Sequence, residues 1–192
     1  FEMEDTGKRN LQGLDKPILD SLGIDKNKPE KQQRNQTGSP ILEEGDILLN
    51  TTLAETNDWQ QVDLPVMRTL RHFCIETLSS YTEDNQACIS EVDLLDDKGQ
   101  PIDKTKWEVV YVSSEQADKN LGIAENLFDG DISSFWHTDP ATEPGQPHRI
   151  IVDIKEIYKI SALRFKVRKG AFLSGKVKEI NVYGRPQFFL FH

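Results

Sequence analysis

Short apolar runs recur along this chain from Gly45 onward, with turn signals between them, and that spacing limits the fold more than any other feature. The runs are DILLNTTL (46–53), WQQVDLP (59–65), RHFCIETL (71–78), ACISEVDLL (87–95), WEVVYVSS (107–114), RIIVDI (149–154), ISALRFKV (160–167) and VKEINVYG (177–184). Each is too short for a typical helix and rich in Val, Ile and aromatic residues. Segments such as SYTEDNQ and DDKGQP separate them and read as turns. Strands of this length and spacing predict an all-β fold, an antiparallel β-sandwich or jelly roll over residues 46–184. AENLFDG supports one helical turn, and no internal repeat is visible. Trp107 and Trp136 read as core residues of such strands.

Residues 1–45 have a different character. Leu11, Leu14, Ile18, Leu19 and Leu22 fall at helical spacing, with Asp15 as N-cap, Pro17 in the first turn and Gly23 as stop. The pattern predicts a short amphipathic helix as an N-terminal extension. The following DKNKPEKQQRNQTGSP (25–40) is nearly devoid of apolar residues and reads as an exposed linker or an irregular strap. Residues 185–192 read as a C-terminal tail.

Charge excludes several partner classes. The formal net charge is −9 with no basic run, so neither nucleic acid nor an anionic membrane surface finds a complementary patch. No apolar stretch approaches the ~20 residues of a membrane span, and insertion into a bilayer is not expected. The chain begins at Phe1 without a leader segment, as expected of a processed chain or fragment. Cys74 and Cys88 are too few for a disulfide framework; one bridge between neighbouring strands and two reduced thiols both remain open. HExxH, GxSxG, a Walker loop, GxGxxG and paired CxxC are all absent, so no catalytic residue is assigned and the chain reads as non-catalytic.

The segment AENLFDGDISSFWHT (124–138) concentrates hard oxygen donors on a glycine turn. Asp129 and Asp131 flank Gly130, and the hydroxyls of Ser133 and Ser134 follow. Ca²⁺ takes six to eight such donors, backbone carbonyls included. It is not an EF-hand, because Pro140 stands where the twelfth-position Glu belongs. An acidic Asp-Gly turn capped by serines accounts for the same residues equally well.

AENLFDGDISSFWHT, followed by PHRIIVDI, ISALRFKVR and GKVKEINVYG, resembles the factor V/VIII type C (discoidin) family, to which the bacterial family 32 carbohydrate-binding modules belong. The resemblance implies a galactose-binding-domain-like sandwich with a structural calcium ion. Its ligands would be Asp129, Asn126 through its backbone carbonyl, Asp131, Ser134 and the distant Glu91 of ISEVDLL. It also implies a sugar site at the loop-rich end, with Arg168 as the family's arginine, Phe172 in the following loop and His137 facing the same end. The usual Asn-Gly is replaced by Leu173-Ser174-Gly175. Strands that close the family's fold appear early here, in 46–97, ahead of the usual N-terminal half in 107–184. One circularly permuted sandwich is therefore expected, and the rival is two truncated domains. The implied function is carbohydrate binding, with galactose-type sugars expected, by an accessory module of a larger secreted or surface glycan-degrading bacterial protein. Its parent enzyme domain would be a partner in cis, in an extracellular, periplasmic or cell-surface location. The alternative is a structural or protein-interaction sandwich without sugar binding.

Overall fold

The computed structural model describes residues 38–82, 84–141, 145–167 and 175–192. The helix expected at Leu11–Leu22 lies outside those residues. Among the described residues the helical segments are short 3-10 turns at Glu44–Asp46, Asp118–Asn120 and Ala124–Phe128. The strands are β1 (Ile47–Thr52), β2 (Gln60–Thr77), β3 (Cys88–Ile89), β4 (Glu91–Asp96), β5 (Glu108–Val112), β6 (Trp136–His137), β7 (His148–Lys166) and β8 (Glu179–Arg185).

All strand pairing is antiparallel and builds two layers. The larger layer has the order β1-β8-β2-β7-β5, using residues 72–77 of β2 and 148–153 of β7. The other halves of the same two strands pair at 60–63 and 162–165, and β4 joins β7 to complete the smaller layer. Strands β2 and β7 thus pass through both layers. They turn the corner where the register slips between Asp63 and Arg68 and between Leu70 and His72, and where Lys155 adopts φ 73°. Irregularities of this kind let a strand switch sheets.

This geometry corrects the strand count read from the sequence. Runs 59–65 and 71–78 are one strand, as are 149–154 and 160–167. Pro65 cannot donate to a ladder, but it sits in the bulge where pairing lapses, so a turn signal marks a bend and not a reversal. Conversely, 87–95 divides at Ser90: β3 pairs with β6 while β4 pairs with β7.

Phe73, Ile75, Leu94, Ile150, Val152, Leu163 and Phe165 meet in a single core cluster between the layers. Trp107 and Trp136 lie in it as expected; the Trp107 ring meets Phe73 edge-on at 5.5 Å, and the buried Trp136 indole donates to the Ser114 carbonyl at 3.0 Å. Strands from 46–97 interleave with strands from 107–184, β8 lying between β1 and β2, so both halves share this core.

The outer face of the larger layer is covered too. Cys74, Tyr111, Ile151, Tyr183 and Phe189 form a second cluster there, with Leu42 and Ile47 packed on it. Residues 38–42 run beside the tail, Ile41 donating to the Leu190 carbonyl at 2.7 Å. Of the two readings of 25–40, linker or strap, the described residues from 38 onward form a strap, and RHFCIETL lacks polar alternation because both its faces are buried. Cys74 and Cys88 are free, buried thiols, which decides the open cysteine question against a bridge. Burial pushes the Cys74 thiol far up.

Candidate functional site

The described residues of the connections 53–59, 78–90, 113–147 and 167–178 meet at one end of the sandwich, where Leu53 donates to the Lys178 carbonyl, Tyr81 to Lys176, Cys88 to Gly175 and Thr138 to Ala87. Glu91 opens β4 there with 1% of its surface exposed. Its Oε1 accepts from the Gly130 N–H at 2.8 Å, so the predicted convergence of positions 91 and 129–134 is present. Gly130 has φ 79°, a left-handed conformation that suits glycine and aims its N–H at the glutamate. The Glu91 carboxyl also bonds to that of Asp129. Asp129 in turn accepts from the Ser134 hydroxyl at 2.5 Å and the Asp131 N–H at 2.9 Å.

Burial and the facing Asp129 carboxyl raise the Glu91 pKa to about 8, outweighing the opposing pull of Lys104. At neutral pH and without a metal, the Glu91 carboxyl is therefore held mostly protonated. Lys104 was not foreseen. Its ammonium lies 2.5 Å from Glu91 Oε2 and 2.6 Å from Asp93 Oδ1. Nothing in the sequence around DKTKW distinguishes it from a solvated lysine.

Two expected ligands behave differently. The Asp131 carboxylate turns away, accepting from the Ser133 N–H at 2.9 Å and the Ser133 hydroxyl at 2.6 Å, and the residue is exposed. An Asx-type cap is the better local use of a carboxylate two residues before a serine. The Asn126 side chain is buried and donates to the carbonyls of Asn120 at 3.1 Å and Phe135 at 3.0 Å, closing the loop upon itself; only its backbone carbonyl stays a candidate. The side-chain donors brought together are the carboxylates of Glu91 and Asp129 and the Ser134 hydroxyl. They fit calcium in type, since a divalent cation can replace the proton between two pressed carboxyls. Among the described residues no group of three or more His, Cys, Asp or Glu side chains could hold a metal ion, so backbone carbonyls would have to complete the shell.

Of the expected sugar contacts, Arg168 and Phe172 lie outside the described residues. The described ends of that connection are anchored beside β3: the Ser90 N–H donates to Lys166 at 2.8 Å and the Cys88 N–H to Gly175 at 2.7 Å. His137 pairs with Cys88 in the same place. It is buried, with Nδ1 2.5 Å from the Thr138 carbonyl, and a Cβ at Gly122 would lie 2.9 Å from its own Cβ. That packing leaves no exposed edge for a sugar hydroxyl, so His137 is a packing residue and not a direct contact. Among the described residues the exposed aromatics at this end are Trp59 and Tyr81. Neither was singled out from the sequence: an aromatic at a strand start such as Trp59 reads as core until its neighbours are known, and Tyr81 lies in a segment that reads as a turn.

Residues 109–187 match the F5/8 type C domain. The chain is 33% identical over 84 residues to a sialidase from Micromonospora viridifaciens, a match covering 43% of this chain and 13% of that protein. The family-model match over residues 109–187 falls on β5 to β8 of the antiparallel sandwich, the part from which the resemblance was read.

Proposed function

We propose that this chain is a non-catalytic carbohydrate-binding module, working beside a catalytic domain of a larger glycan-degrading protein outside the cell. The observation that carries the reading is the match of residues 109–187 to a discoidin domain and to a stretch of a sialidase. The permuted order gains support from strands β1, β2 and β4, which lie outside the matched residues yet complete the same core. Such a module acts by holding its enzyme near substrate, raising local concentration without chemistry of its own.

Glycan contact is assigned to the loop-rich end, with Arg168 fixing hydroxyls and Phe172 supplying a ring, and galactose-type sugars are the first ligands to try. Calcium, held by Glu91, Asp129, Ser134 and neighbouring carbonyls, would brace this end by tying β4 to the loop 126–134. Its role is structural. Titration calorimetry against galactose-type sugars, with and without EDTA, tests the reading. Saturable heat that is lost in Arg168→Ala is the expected result, and flat titrations across a broad glycan panel would remove it.

A further inference from the structure

The two buried tryptophans leave Trp59 as the third indole of the chain, 38% exposed and just ahead of β2. Its ring is held in place. The Arg164 guanidinium stands 5.1 Å from the ring centroid, and Arg164 Nη2 donates to Asp93 Oδ2 at 2.6 Å. The other Asp93 oxygen takes Lys104, which reaches on to Glu91. Register places Gln61, Arg164 and Asp93 side by side on the outer face of the smaller layer. Lys166, paired with Glu91, anchors the connection that carries Trp59 by donating to the Asn57 carbonyl at 2.6 Å. A ladder of alternating charge thus crosses this face, from Trp59 to the Glu91–Asp129 pair.

An indole fixed before a ligand arrives, bordered by the Arg164 guanidinium and the exposed Gln61 amide, has the elements that recognise a pyranose. The ring covers a C–H face while the planar polar groups reach the hydroxyls, and little ordering entropy is lost on binding. Asp93 is held by both Lys104 and Arg164, so the guanidinium beside the ring is already matched in charge and the surface favours an uncharged sugar. It also borders the end from which the 167–178 connection departs.

We infer that Trp59, positioned by Arg164, is a second glycan-contact surface on the flank of the loop-rich end, and that the ligand is a neutral oligosaccharide long enough to reach both. The inference rests on the carbohydrate-binding reading. Calorimetry with galactose and with a neutral galactotetraose tests it, using the full chain and its Trp59→Ala and Trp59→Phe variants. The tetraose should bind Trp59→Ala about tenfold more weakly and Trp59→Phe at an intermediate level, while the affinity for galactose stays unchanged. Tetraose, but not galactose, should also shield the exposed indole from acrylamide quenching. Tetraose affinity that is equal in all three proteins overturns this inference and leaves the carbohydrate reading standing. Silence of the wild-type chain toward both sugars overturns the inference, and extension of that silence to a broad glycan panel overturns the reading beneath it.

Discussion

Asp153 and Glu91 are both almost wholly buried acids, 3% and 1% exposed, yet the chain answers their charges in opposite ways. Asp153 lies on the outer side of the larger layer. It accepts from Arg71 at 2.9 and 3.1 Å and from the Lys155 N–H at 2.7 Å, with His72 3.6 Å away. Burial alone would raise its pKa; these partners outweigh it and hold the group at about 2. Glu91 has one lysine and one N–H, but it also faces a second carboxyl, and its pKa stands near 8. A fully answered charge belongs to the framework. A carboxyl pressed against another carboxyl marks a place where a further cation improves matters.

The largest expected effect tests that distinction. At free calcium about 1,000 times its dissociation constant, the wild-type chain should gain about 4 kcal/mol, read as a shift in its urea unfolding midpoint. Glu91→Gln should abolish that gain. Without calcium and at neutral pH the variant should lose about 2 kcal/mol, since the amide oxygen still accepts from Gly130 but the amide nitrogen cannot accept from the Lys104 ammonium. A calcium gain of equal size in both proteins would remove Glu91 from the site and end the comparison.

Asp153→Asn should give the next largest effect, a loss of about 2 kcal/mol at neutral pH, because the half-buried Arg71, the Lys155 N–H and the buried His72 lose the charge they were arranged around. The pH dependence has a definite sign. A carboxyl with a folded pKa near 2 and an ordinary value of 3.8 contributes stability that is present above pH 3.8 and disappears as pH falls toward 2. Wild type and variant should therefore converge in acid unfolding curves over that window. Parallel curves would show that Arg71 and Lys155 do not stabilise the anion.

Much of this was legible in the sequence, and the omissions have physical causes. Sandwich architecture follows from strand periodicity, which is local, and the meeting of Glu91 with the 129–134 loop followed from family resemblance. Chain corners were not legible, because Pro65 and Lys155 carry the same signal whether the chain reverses or only bends. Lys104 and Trp59 were missed since their roles depend on partners far away in sequence: Glu91 and Asp93 for one, Arg164 for the other. His137 beside Trp136 reads either as a loop-end contact or as a buried, satisfied histidine, and the close approach of Gly122 favours the second.

The smallest effect sharpens the boundary of the calcium site. Asp131 is a carboxylate in the ligand loop by sequence, but its Oδ1 is engaged by the Ser133 N–H and hydroxyl on an exposed surface. An asparagine oxygen accepts the same two bonds, so Asp131→Asn should change unfolding by less than about 0.5 kcal/mol. The calcium gain should also be preserved, because the Asp131 N–H and carbonyl, which hold Asp129 and Ser134, are untouched by the substitution. Urea titrations with and without calcium measure both quantities. If the gain fell as far as in Glu91→Gln, the carboxylate would have to swing from Ser133 toward Asp129 on ion binding. The loop would then be rebuilt by the ion, whereas the Glu91–Gly130 and Asp129–Ser134 bonds predict one already shaped to receive it.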